Sequence, residues 1–476
     1  MNTSSTFAAS ALSCAVACGL SSLALAQSVT ENFRARDPGV RTGSIGAGLP
    51  LANLSAAQLQ FFDDGFDRFI EIDSVSGTVA GAPGRGLGPG YNATSCGVCH
   101  SQPFAGGTSP SAALFPYVGA NPQVAAASAG GATNVVPSFI APDGPVLETR
   151  FPFVVSRSGS LTSTPDGGVH DIYTIAGRSD APGCVFAQPN YDQMQALGNL
   201  VFRIPTPVFG AGLIENIPDE AILANMNASS SLKHQLGIGG HPNTNGNDGS
   251  ITRFGWKAQN KSLEIFSGEA YNVEMGVSNE LFPNERANPP SSCQYNGTPE
   301  DRTNFAENGV AILSDTVGFT HFMRFLAAPT PSNSGIPGNP PASSIQNGKA
   351  LFAQVHCDTC HTPVLQTGPS SLTAALDRKN AALYSDLLVH NMGSGLADQI
   401  AQGSAGGNEF RTAPLWGVGQ RIFFLHDGRA GPQNGGLAAA ISAHSSQGSE
   451  ASTVISSYRS LGESQKQDVL NFLRSL

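Results

Sequence analysis

Cys96-Gly97-Val98-Cys99-His100, followed by Ser101-Gln102-Pro103, returns later as Cys357-Asp358-Thr359-Cys360-His361, followed by Thr362-Pro363. The shared pattern is C-x-x-C-H, which attaches c-type haem. Two thiols add to the two vinyl groups of one porphyrin, and the histidine after the second thiol binds the iron axially. A single C-x-x-C also suits a redox disulfide or half a zinc site. Two copies, each carrying the histidine, point instead to two covalently bound haems, with a zinc or thiol protein as the rival.

Both motifs sit behind the same lead-in. Ser55 reads as the cap of a helix that runs to Ile70, with Leu59, Phe62, Phe66, Phe69 and Ile70 on one face. Ser344 reads as the cap of the second, with Ile345, Gly348, Leu351, Phe352 and Val355 on one face. The chain therefore repeats one module, a helix delivering a loop that carries the cysteines.

Composition narrows the class. The 476 residues are enough for two or three domains, and 55 glycines with 32 prolines predict long loops between helices. The formal net charge is -10 and no basic block occurs, which argues against nucleic acid as a partner. An acidic surface instead suits a basic redox partner. Residues 1–26 read as an export signal: the stretch Ala8 to Ala26 is small, apolar and uncharged, and it ends Ala24-Leu25-Ala26 before Gln27. No other run reaches the length of a membrane span. A periplasmic or secreted bacterial protein is expected. Of eight cysteines, Cys14 and Cys18 leave with the signal, four attach haem, and Cys184 and Cys293 remain as a candidate disulfide.

Residues 104–146 are rich in Ala, Gly, Pro and Ser and read as a surface insertion. Short strands are expected at Phe151 to Val155, Ile172 to Ile175 and Val201 to Ile204. Thr298-Pro299-Glu300-Asp301 reads as the start of a helical region running toward Phe325. Five prolines between Ala328 and Ser344 mark a linker. A last helix is expected from Ser464, with Gln467 completing a capping box. The expected domains are residues 50–327 and 345–476, joined by 328–344.

These residues, with Phe254-Gly255-Trp256-Lys257-Ala258, Glu274-Met275-Gly276, Asn296 to Asp301, Phe410 to Trp416, His426-Asp427-Gly428-Arg429 and the Ala439 to His444 helix, resemble a family. It is the bacterial di-haem cytochrome c peroxidase superfamily, in particular its branch of di-haem, or thiol, oxidoreductases. The resemblance implies a mainly α fold. Two cytochrome c-like haem domains would be joined through long loops, with a few short strands inserted in the first.

It also implies roles. His100 and His361 are the proximal iron ligands. On the far side of the second iron, His444 matches the position of the family's distal ligand, and Met392 is the alternative. The first iron has no evident distal ligand. The next histidine is His170, and His234, His241 and His321 read as surface or packed residues, so this iron is the expected reaction site. Glu274 matches the acid–base glutamate, with Glu269 in reserve, and Trp256 matches the tryptophan between the haems. A glutamine that the family places ten residues after this tryptophan is here Phe266, which favours dioxygen or an apolar substrate over peroxide. Trp416 and Arg411 resemble the haem-packing segment, while Asp427 and Arg429 fix a turn or a haem propionate. Peroxidase relatives also place a calcium ion between their domains; the sequence assigns it no ligands.

The function expected is that of a peroxidase-like oxidoreductase. Electrons enter at the C-terminal haem from a small soluble donor, such as a monohaem cytochrome c or a cupredoxin, and peroxide is reduced at the N-terminal haem. The alternatives are a pure electron-transfer dihaem cytochrome and a dioxygen-using di-haem oxygenase.

Overall fold

The computed structural model describes residues 34–44, 46–110, 121–304 and 312–476. The export signal and its two cysteines lie outside them. Two helix crossings frame the fold. The first pairs Ala56–Ile70 with Asp315–Phe325. Ser55 caps the earlier helix through a capping box with Gln58. Gly65 lets the two backbones touch, since a Cβ there would collide with the carbonyl of Gly318. The second crossing pairs Ala342–Gln354 with Glu463–Ser475, and Gly348 plays the same part against the carbonyl of Asp468. In each module the helix before the C-x-x-C-H loop is thus clamped by a later helix.

The expectation of a mainly α chain built as two cytochrome c-like domains is overturned. Helices hold 31% of the residues and strands 14%, and the strands form seven small sheets among the described residues. That helix content is ordinary for a mixed globular protein. The physical reason lies in the glycines and prolines, which cut helical stretches short and leave brief β-branched and aromatic runs to pair as short strands, some with partners far along the chain. Three such runs are strands where expected: Phe153–Val155, Tyr173–Thr174 and Val201–Arg203.

Other boundaries also move. Ser344 is not a cap. It lies buried inside the helix, which starts at Ala342, and its hydroxyl donates to Asp468. The last helix starts at Glu463 behind Gly462, with Gln465 as its capping side chain, while Gln467 accepts from the Arg36 amide. Residues 298–304 are not helical. Asp301 instead accepts from the Asp315 and Thr316 amides and so braces the start of the later helix. The insertion 104–146 is not merely surface, since Gln123, Ala126, Ile140 and Val146 are buried.

One hydrophobic cluster gathers Phe62, Phe69, Ile172, Trp256, Phe322 and Trp416; another gathers Phe352, Tyr384, Leu437, Leu470 and Phe472. The segment from residue 34 packs beside the latter. Asp37 pairs with Arg474 at 2.7 Å and also accepts from the Leu437 amide at 2.7 Å. Cys184 and Cys293 form a disulfide, with Cα atoms 4.8 Å apart. Among the described residues no helix is long and apolar enough to cross a membrane.

Candidate functional site: two cavities sharing one tryptophan

Each C-x-x-C-H motif makes one tight turn. The His100 amide donates to Cys96 at 2.9 Å, and the His361 amide donates to Cys357 at 3.0 Å. All four motif cysteines are free thiols. Burial raises those of Cys96 and Cys99, and pushes Cys357 up to about 12. Each motif opens onto a cavity, the larger of the two at the second motif.

In the second cavity the rings of His361 and His444 stand with centroids 6.5 Å apart. With metal–imidazole bonds of about 2 Å, two imidazoles on opposite sides of one metal have ring centres about 6 Å apart. The Nδ1 of His361 donates to the Tyr384 carbonyl at 3.0 Å, and that of His444 donates to the Ala440 carbonyl at 2.7 Å. Those bonds fix the tautomer and leave both Nε2 atoms as lone-pair donors. Burial holds His361 down at about 4 and lowers His444, so both are neutral, as ligation requires. Met392 lines the same cavity. Its backbone is pinned to Ser449, and its side chain packs against the larger hydrophobic cluster.

The first cavity is built differently. His100 donates from Nδ1 to the Gly107 carbonyl at 3.1 Å, and burial lowers it to about 4. Among the described residues lining this cavity, no second histidine, methionine or tyrosine occurs. His170 stacks on Phe151 instead, His241 bonds Glu409, and His321 packs on Phe61.

The helix Leu263–Met275 supplies one wall. Its Phe266, Glu269, Ala270, Val273 and Glu274 line the cavity at the spacing of one helical face. Burial, then the charges of Glu148 and Glu269, push the Glu274 carboxyl up to about 8. It is therefore a protonated acid at neutral pH. Glu269 accepts from the Asn260 amide, which ties it down. The three-stranded sheet ordered Val169–His170, Glu148–Arg150, Val201–Arg203 supplies another wall through Glu148, Arg150 and Arg203.

Sequence reasoning missed two features. Gln259 lines the first cavity, and its Oε1 is buried without a hydrogen-bond partner among the described residues. The amide folds back over Gly255, whose φ of +85° and missing side chain leave it room. An amide thus reaches this cavity from three residues after the tryptophan, although Phe266 holds the position where the family carries it. The second feature is a buried charge cluster beside Trp256. Lys257 Nζ meets Asp398 at 3.0 Å and Arg203 meets the same carboxylate at 2.7 Å.

Trp256 is 7% exposed, and its indole N–H donates to the Ile204 carbonyl at 2.9 Å. It lines both cavities.

The donor sets fit haem. Cys99 and His100 of the first motif line the first cavity, and Cys357, Cys360 and His361 line the second, which adds an opposed imidazole at the spacing one iron requires. Comparison with curated proteins gives no match. Among solved structures, the hydrazine synthase of Kuenenia stuttgartiensis is similar over 35% of this chain and 57% of that chain, at 16% identity and a TM-score of 0.21. This chain thus spans little more than half the length of that one. Residues 186–476 match the model of the family described as "Di-haem oxidoreductase, putative peroxidase". That match covers more than half of the sequence, and the chain belongs to the di-haem oxidoreductase family.

Proposed function

We propose that the protein is a periplasmic c-type di-haem oxidoreductase that reduces peroxide at the His100 site with electrons received at the His361 site. One observation carries the reading: His361 faces a second imidazole, whereas His100 shares its cavity with carboxyl and amide side chains. In this reading Cys96 and Cys99 hold one haem with His100, and Cys357 and Cys360 hold the other with His361 and His444. The two haem-bearing units are residues 50–327 and 345–476, linked through 328–344.

Haem iron supplies one-electron chemistry and, where a face is open, a place for peroxide. The protein supplies the rest. Glu274 holds a proton at neutral pH and would donate it to the outer peroxide oxygen as that oxygen leaves as water. Gln259 would orient peroxide through its amide. His444 would hold the second haem together with His361, and that haem would supply electron storage. Trp256 bridges the cavities and shortens the electron's path. Two electrons and two protons convert hydrogen peroxide to two waters. The net charge of -10 suits a small basic donor, such as a monohaem cytochrome c or a cupredoxin.

An EPR spectrum of the oxidised holoprotein tests this. A high-spin ferric signal beside a low-spin one supports it. Two low-spin signals would leave a pure electron carrier. Phe266 in the cavity wall favours a second reading, with dioxygen in place of peroxide; oxygen uptake by the reduced protein separates the two.

A further inference from the structure

Two guanidinium groups lack what a buried charge requires. Arg411 is 7% exposed and Arg421 6% exposed. Arg411 donates from Nε to the Gly255 carbonyl at 3.0 Å, yet its Nη1 has no partner among the described residues. Nε and Nη2 of Arg421 likewise have none. Both side chains line the second cavity. Both also line a smaller cavity that reaches Trp256 and Trp416.

Among the described residues no carboxylate forms an ion pair with either, although the charge of Asp386 reaches Arg411. Asp37 is taken by Arg474, which in turn donates to the Arg421 carbonyl at 2.9 Å. Asp386 is held by His390 at 3.0 Å. A buried cation without a counter-ion is costly, so an anion belongs here. The planar guanidinium fork matches a carboxylate bidentately. Haem carries two such carboxylates on one edge.

We propose that Arg411 and Arg421 clamp the propionates of the haem held by Cys357, Cys360 and His361, and so turn its carboxylate edge toward Trp256 and the first cavity. The inference rests on the c-type haem reading of the second cavity. It assigns both arginines a positioning role and sets the second haem's potential through their charge.

The test uses holoprotein with its haems counted by pyridine haemochrome. Redox titration compares wild type with Arg411→Gln, Arg421→Gln and Arg421→Lys, and with Arg378→Gln, a change at an exposed residue, as control. Loss of a cation favours ferric iron. Each Gln variant is expected to shift the low-spin haem's reduction equilibrium at least tenfold toward ferric, about 59 mV for one electron. Arg421→Lys and Arg378→Gln should stay near wild type. Acetate added to wild type should change nothing, because the carboxylates arrive with the haem.

An unmoved low-spin potential in both Gln variants, a shift confined to the other haem, or an acetate-sensitive wild type overturns the clamp. Should the Gln variants fail to fold, the propionate bending band in the resonance Raman spectrum of Arg421→Lys decides: a shift supports the clamp, and an unchanged band refutes it. Wild type without haem at the second motif would fail the haem reading itself. Two haems with an unmoved potential fail only the clamp.

Discussion

The imidazoles of His361 and His444 look at each other across the second cavity with ring centroids 6.5 Å apart, each held from behind by a backbone carbonyl. Replacing His444 with alanine is expected to turn the low-spin EPR signal high-spin. Replacing it with methionine should keep the signal low-spin and raise the potential, since a thioether favours ferrous iron. Met392→Ala should leave both readouts unchanged; loss of the low-spin signal in that variant would make Met392 the ligand instead.

Glu274 sets a pH limit. Its carboxyl titrates near 8 because burial and the charges of Glu148 and Glu269 disfavour the anion. Peroxide turnover should hold through neutral pH and fall as pH rises through about 8. Glu274→Gln should lower kcat by about 10²- to 10⁴-fold and remove that limb, with haem content intact. The same shift has a stability sign. The folded state binds the extra proton between the usual 4.5 and about 8, so the stabilisation is complete below 4.5 and is lost as pH rises through about 8.

Gln259→Leu removes the one amide oxygen left unpartnered in the first cavity. Steady-state kinetics should show a lower kcat for peroxide with the spectrum of the second haem untouched. An unchanged kcat would reduce Gln259 to packing.

Trp256→Phe keeps an aromatic ring in the shared wall but loses the bond to the Ile204 carbonyl. Stopped-flow reduction should show electron transfer between the haems slowed by roughly tenfold, equivalent to about 1.4 kcal/mol of barrier. Equal rates in the two proteins would leave the indole as a structural partition.

The Cys184–Cys293 disulfide closes a span of 109 residues. Changing both cysteines to serine should cost roughly 2–5 kcal/mol in denaturant unfolding while sparing the haem spectra. Unfolding curves that superimpose would refute this.

How much of this was legible depended on range. The haem motifs and the helix ending at Ile70 follow from local chemistry, so spacing alone exposed them, and three short strands fall where brief apolar runs marked them. The face Phe266, Glu269, Ala270, Val273, Glu274 was equally readable at helical spacing, though the sequence reading took only some of its members. Gln259 was not readable, because its arrival in the cavity depends on a backbone turn at Gly255. Ser344 deceived for a related reason. A serine before an apolar run resembles a cap, but its partner Asp468 lies on a distant helix that no window contains. The mainly helical expectation failed on the same ground: whether brief apolar runs pair as strands is decided by neighbours far along the chain.

Asp37 meets Arg474 across 437 positions of sequence. That bond joins almost the earliest described residue to almost the last, and Asp37 also anchors the start of the helix Gly436–Ala443, at whose end His444 stands. During synthesis this aspartate cannot meet Arg474 until 437 further positions have been made. Contacts of such separation slow folding. The helix that carries His444 is therefore fastened at its start only once the two most distant parts of the described chain have met.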